Sequence, residues 1–448
     1  MYYKPEDTFS TSIGKGYWGI VNPYATLTVS AVSDETKRIL DCFANGATRK
    51  GCHSTFPHLK QNYLNNSINQ LIKAELLFDT PTPKLVFETA YELDVWFHIT
   101  NRCNLRCSYC YLDKSKEDMS WATAKKVTDA IFRAAIKHKI NKVKFKFSGG
   151  EATLNFPLIM KIIDYSNQKA KTLNIELEYI LLSNGTVLNN QMLDQIEKRK
   201  IHVMISLDGV GKYHDKQRCF PDGTGSFGLV DRTIKKLIQD KSDFNVSITI
   251  NHENIKGIPE LTEYLMENKI FFSFNFYREN PCSTKAKKAG LHDQEIIRYL
   301  EKAFKIIERY LPNTCYLNVL SDRALLGQPH NQACAVGYNY LVFDQFGNLA
   351  KCQMDIQTII SSANSPDPLT DIRADKNGIQ NLPVEKKKQC GKCVWRHHCA
   401  GGCPLLAYRK TGRYDAKSPN CKIYQALLPQ IVKLEGLRLL KYAGKSIL

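Results

Sequence analysis

Three cysteines constrain this chain more than any other feature. Cys103, Cys107 and Cys110 share one short run with the spacing Cys-x3-Cys-x2-Cys, and no fourth thiol stands beside them. Three thiolates can hold a four-iron cluster while leaving one iron open to a small molecule, whereas four would close it. A zinc site or three unrelated cysteines are the plainer readings of such a run taken alone. Its setting argues against them. A strand-like run, Leu93 to Thr100, ends just before the loop, and a helix-like stretch, Ala122 to Lys139, follows it. The thiols therefore stand at the carboxyl end of a strand, where parallel α/β folds bind cofactors.

The rest of the chain fits that class. Its 448 residues are 43% hydrophobic, enough for two or three domains with real cores. No apolar run approaches the roughly eighteen residues of a membrane helix, and the amino terminus lacks a signal pattern, so a cytoplasmic protein without a membrane partner is expected. Fifteen cysteines would suit a secreted disulfide scaffold, but most stand at metal-ligand spacings, and a reducing, anaerobic compartment fits better. The net charge of +18 attracts acidic partners. Lysines such as Lys235, Lys236 and Lys287 are dispersed as on a solvated surface, which disfavours nucleic acid.

A second cysteine block occupies the carboxyl-terminal region. Cys334 and Cys352 flank a hairpin turn at Gly347, and Cys390-x2-Cys393-x5-Cys399-x3-Cys403 follows, closed by Cys421. Read alone, the Cys-x2-Cys knuckle would suit structural zinc as well as iron. His397 and His398 read as exposed loop residues, while Cys42, Cys52, Cys219 and Cys282 lack metal spacing and read as interior thiols.

Between the two blocks, strand-like and helix-like segments alternate. Strands are expected at 143–147, 177–182, 201–207, 246–250 and 270–276, with helices at 157–171, 190–198, 227–240, 258–268 and 293–310. With Leu93 to Thr100 that gives six strands in parallel β/α repetition. Ser148-Gly149-Gly150-Glu151 follows the second strand, Ser183-Asn184-Gly185 the third, and Ser206-Leu207-Asp208-Gly209 the fourth. Glycines admit a close approach, and the hydroxyl, amide and carboxylate groups can hold a polar ligand.

The three-cysteine loop with Gly149-Gly150-Glu151 resembles the radical S-adenosylmethionine (SAM) family, and the seven-cysteine block resembles its SPASM extension. The resemblance implies a partial (β/α)6 TIM-like barrel and a [4Fe-4S] cluster on Cys103, Cys107 and Cys110 that binds SAM. It also implies two auxiliary [4Fe-4S] clusters, one on Cys390, Cys393, Cys399 and Cys421, the other on Cys334, Cys352 and Cys403. The latter lacks a ligand; Cys315 is a candidate, although it reads slightly better as a buried cysteine. Tyr109 takes the place of an adenine contact and Glu151, with Gly149 and Gly150, that of the amino-group site. Ser183, Asn184, Ser206 and Asp208 would face the ribose or carboxylate, and Arg218 a carboxylate, unless it forms a structural ion pair.

The first residues carry a strand pair around 18–21 and 26–29, a helix from Asp34 to Phe43 capped at Ser33, and helical segments at 58–64 and 66–73. This resembles the winged-helix-like PqqD domain of peptide-modifying relatives, which binds a leader as an added strand; a mere stabilising extension is the plainer reading. The implied organisation is residues 1–84 for recognition, 85–325 for the barrel, and 326–448 for auxiliary clusters and a terminal helix. The expected function is radical cross-linking of a ribosomal precursor peptide with a leader, through a thioether or a carbon–carbon bond, supplied with electrons by an external one-electron reductant. An anaerobic sulfatase maturase is the alternative enzyme, but it places an aspartate directly after the position of Cys352, where this chain has Gln353. An iron-sulfur sensor or nucleic-acid scaffold is the non-enzymatic alternative.

Overall fold

The computed structural model describes residues 1–85, 87, 92–283 and 293–442; Lys287 lies outside them. The chain packs as two units, each built from separated segments: Met1–Glu88, His292–Ala333 and Leu382–Leu448 in one, Thr89–Leu291 and Cys334–Asn381 in the other. These do not follow the expected segments 1–84, 85–325 and 326–448. The reason is strand pairing in one unit and helix packing in the other.

In the first unit, β1 (Phe9–Gly14), β2 (Tyr17–Val21) and β3 (Val29–Ser33) form an antiparallel sheet in that order. The sequence reading lacked β1 and began the last strand too early; Asn22 closes the intervening turn by donating its N–H to the Thr28 carbonyl at 2.9 Å. Ser33 caps helix Asp34–Asp41, its hydroxyl accepting from the Thr36 N–H. Helix Arg49–Thr55, absent from the expectation, precedes a single helix, Gln61–Lys73, where two segments were read. Leu64, Ile68 and Leu71 bury its apolar stripe against Ile39, Leu40 and Phe43. Helix Cys421–Tyr442 packs across all three strands and against helix Asp293–Tyr310, which draws both distant segments into this unit.

The second unit holds the large sheet. The strands β4 (Glu92–Thr100), β5 (Lys142–Gly149), β6 (Glu176–Ser183), β7 (His202–Ser206), β8 (Phe244–Ile250) and β9 (Phe272–Phe276) are the six expected, all parallel and neighbours in sequence order. β4 is buried almost throughout, as a central parallel strand must be. Next to it, β10 (Tyr340–Phe343) adds a further parallel strand, and β11 (Asn348–Ala350) and β12 (Ile359–Ser362) continue antiparallel. Among the described residues β12 and β9 form the edges of a mixed, mostly parallel α/β sheet.

Candidate active site and cysteine centres

The loop carrying Cys103, Cys107 and Cys110 leaves β4 and is fastened on two sides. On one side Thr100 accepts the Gly150 N–H and Arg102 accepts the Glu151 N–H, both at 2.8 Å. A Cβ on Gly149 would lie 2.2 Å from the Thr100 carbonyl, and one on Gly150 would lie 2.2 Å from that of Arg102. The two glycines thus admit the loop's own backbone, where the sequence reading had assigned them to a ligand. On the other side the Arg106 N–H reaches the Cys219 carbonyl at 2.7 Å, and the Ser108 N–H reaches Gln217 at 3.0 Å. Cys103 Sγ accepts from the Leu105 N–H at 3.4 Å. Burial pushes the Cys107 thiol up to about 12, opposed by the nearby Arg218 charge, and raises Cys103 as well. A thiol so placed is neutral by itself and becomes a thiolate ligand when a metal offsets its desolvation, so the donor set suits an iron centre.

The strand-end motifs interlock. Glu151 Oε1 accepts from the Thr153 N–H, the Thr153 hydroxyl and the Ser183 hydroxyl at 3.2, 2.6 and 2.9 Å, and Oε2 from the Asn184 N–H at 2.6 Å. Burial raises its carboxyl above the usual range against these four donors. The Asn184 amide donates to Asn104, within the cysteine loop, at 2.9 Å. Deeper in the unit, fully buried Asp208 accepts from the Tyr109 hydroxyl, from the Arg218 guanidinium and, at 2.7 Å, from the Thr249 N–H. Arg218 also lies over the Tyr109 ring, 5.3 Å from its centre. It therefore forms a structural ion pair, and together with Asp208 it braces the last turn of the loop. Ser206 is half-buried at the end of β7, in register with Ser247. Sequence reasoning missed Tyr111, next to Cys110: burial raises its phenol well above the usual value, and Cys110 and Cys352 both lie close enough to push the same way. An aromatic position flanking Cys110 was its only signal.

Cys390, Cys393, Cys399 and Cys421 line one cavity of about 280 Å³ in the first unit. Burial pushes Cys399 up to about 12, and the other three thiols add to the rise. Backbone at Ala400, Gly401 and Gly402 is left-handed (φ 44°, 72° and 67°), wrapping the chain around Cys399. The remaining cysteines divide: Cys334 and Cys352 belong to the second unit, Cys315 and Cys403 to the first. Cys352 Sγ is 3.7 Å from the Gln353 amide oxygen, which also accepts the Tyr340 hydroxyl at 2.9 Å. Among the described residues, no three His, Cys, Asp or Glu side chains converge on a single metal ion.

Several expectations need correction. Cys315 is exposed, not buried. His397 and His398 are buried, because the chain from Leu325 to His330 pairs with their backbone: the Leu325 N–H donates to the His398 carbonyl at 2.8 Å, and the His330 N–H to that of His397 at 2.9 Å. Of the four supposed interior thiols only Cys52 is fully enclosed.

The family model "Radical SAM superfamily" matches residues 97–265, the span of the loop and its strand-end motifs. A protein of Methanocaldococcus jannaschii with no assigned activity is 30% identical over 299 residues, 65% of this chain and 92% of its own length. A cysteine-type anaerobic sulfatase-maturating enzyme of Clostridium novyi is 24% identical over 68% of this chain and 85% of its own. Among solved structures, anSMEcpe with bound AdoMet and a peptide overlaps 77% of this chain and 99% of its own at a TM-score of 0.62 and 19% identity. Streptococcus suis SuiB bound to precursor peptide SuiA overlaps 94% of this chain and 100% of its own at 0.51 and 18%. No helix among the described residues is long and apolar enough to cross a membrane. An open three-thiol loop fastened to Gly149-Gly150-Glu151 at the ends of parallel strands, matched by the family model and by a relative spanned almost end to end, makes this chain a member of the radical SAM superfamily of enzymes, which use a four-iron cluster and SAM.

Proposed function

We propose that this chain matures a ribosomally made precursor peptide, forming a thioether or carbon–carbon cross-link. Cys103, Cys107 and Cys110 would hold the SAM-binding cluster, and Cys390, Cys393, Cys399 and Cys421 one auxiliary cluster. Cys334 and Cys352 in the second unit, and Cys403 and Cys315 in the first, are the remaining candidates for holding auxiliary iron. Given one electron from an external reductant, the bound cluster and SAM supply a 5′-deoxyadenosyl radical able to remove a substrate hydrogen. The chain's own residues position and exclude water. Glu151 Oε2 carries a single hydrogen bond, from Asn184, which leaves a place for an ammonium donor. Tyr109, held by Asp208, would offer a rigid ring to a nucleobase, and Ser183, Asn184 and Ser206 border the same strand ends. The β1-β2-β3 sheet, whose outer strands β1 and β3 pair with no further strand among the described residues, would take the leader as an added strand, in the manner of a PqqD-like domain.

The observation that carries this reading is the four-cysteine cavity in a chain whose fold is similar over nearly its whole length to SuiB, solved with its precursor. Sulfatase maturation is the second reading, favoured by the sequence likeness to the Clostridium novyi enzyme. Against it, Gln353 offers an amide that cannot serve as a general base. Mass spectrometry of any short Cys-containing peptide found encoded beside this chain's gene, after turnover with reconstituted enzyme, tests the choice. Loss of two hydrogens with a new linkage in the fragment ions supports peptide maturation; an aldehyde at a single Cys or Ser supports the alternative.

A further inference from the structure

Cys42 and Cys52 belong to neither cysteine centre, yet the fold brings them side by side. Cys42 caps the carboxyl end of helix Asp34–Asp41, and Cys52 lies within helix Arg49–Thr55. The Cys42 Sγ donates to the Thr55 hydroxyl at 3.8 Å. Thr55 stands three residues beyond Cys52, on the same face of that helix. Cys42 also packs against the buried cluster that contains Cys52, together with Ile20 of β2, Val32 of β3 and Leu64. Burial pushes the Cys52 thiol up to about 12, and Cys42 stands close enough to push the same way through a side-chain hydrogen bond and charge.

The two thiols differ in access. Cys52 is fully enclosed, whereas Cys42 is partly exposed. An accessible thiol beside a second, resolving one is the arrangement that oxidises reversibly. Both helices pack on Gln61–Lys73, so a covalent tie between them would brace the layer that shares its core with β2 and β3. We propose that Cys42 and Cys52 are a redox lock, joined by a low-molecular-weight disulfide into a reversible cystine that stiffens the amino-terminal helices. The Cys42 sulfur attacks the small disulfide and one small thiol leaves; the Cys52 sulfur then attacks that of Cys42 in the mixed disulfide and releases the second. One S–S bond breaks and one forms. The pair loses two electrons and two protons, and the small disulfide takes up both as two thiols. In a reducing compartment such a bond is transient and follows the redox state of the thiol pool. The proposal depends neither on what the iron centres hold nor on the peptide reading.

Oxidised glutathione is the probe, added without air to the iron-reconstituted full chain at rising ratios to reduced glutathione, with free thiols then blocked by N-ethylmaleimide. Trypsin cuts between the two cysteines at Arg49 and Lys50, so the linked form is recovered as two joined peptides, two hydrogens lighter than the separate pair. That product is expected, with amide exchange in both helices slowed about tenfold and restored by dithiothreitol. Cys42→Ser is expected to abolish the linkage and the slowing, and Cys52→Ala to stop at a glutathione adduct on Cys42. Cys282→Ser, at a partly exposed thiol of the second unit, is expected to leave both effects intact. Glutathione held on Cys42 with Cys52 still free at every ratio, Cys42 joined to a different cysteine, or a linked form with unchanged exchange would each overturn the proposal. Because the assay needs no precursor peptide, its failure is distinguishable from failure of the maturation reading.

Discussion

The two cysteine centres are built on opposite plans. The three-thiol loop comes from eight consecutive residues, and its backbone is fastened to Thr100–Glu151 contacts on one side and to Gln217 and Cys219 on the other. The four-thiol cavity gathers residues from Cys390 to Cys421, wraps them with left-handed backbone after Cys399, and sits at the start of a long helix. In the loop the framework is external, the ends of parallel strands, so one metal corner can go without a protein ligand. In the cavity the four cysteines, with the proposed cluster bound, would themselves tie distant segments together, and losing one should cost structure as well as metal.

The largest effect that separates the plans is expected from Cys107→Ala, which should reduce 5′-deoxyadenosine formation to background while the auxiliary iron stays; chromatography of the nucleoside and iron analysis check it. Cys421→Ala should do the converse, losing roughly a third of the bound iron and retaining SAM cleavage, as iron analysis of the anaerobic protein would show. Asp208→Ala leaves the Arg218 guanidinium buried without its partner and should cost about 3–5 kcal/mol in denaturant unfolding, with SAM affinity falling alongside. Gly149→Ala must displace the Thr100 carbonyl and should cost about 1–3 kcal/mol.

The smallest effect concerns pH. His214 is buried, donates to or accepts from Ser226 at 3.0 Å, and burial lowers its pKa to about 3, with the Arg218 charge pushing the same way. The unfolded chain takes up a proton near 6.5 that the fold refuses, so stability from this group is present above that pH and drains away as pH falls toward 3. The difference in unfolding free energy between the protein and His214→Gln should therefore narrow from pH 7 to pH 4.

Much of this was legible in the sequence because local patterns coincide with local structure. Each of the six parallel strands carries its own apolar run, and each strand-end motif follows directly, so the placement of Cys103, Glu151, Asn184 and Asp208 at one end of the sheet could be read in advance. What the motifs do could not. Whether Arg218 meets a ligand or Asp208, and whether Gly149 and Gly150 face a cofactor or the backbone of Thr100 and Arg102, depends on contacts between segments far apart in the chain. The same limit hid β10, which joins the sheet beside β4 from more than two hundred residues away, and the burial of His397 and His398 beneath the chain from Leu325 to His330.

The account stands on an iron left without a protein ligand in the three-thiol loop. Electron paramagnetic resonance of the reduced Cys334→Ala/Cys421→Ala protein, which isolates that centre, recorded before and after SAM is added, tests it most directly. A changed cluster signal on SAM addition is the predicted result; a signal indifferent to SAM at saturating concentration would contradict it.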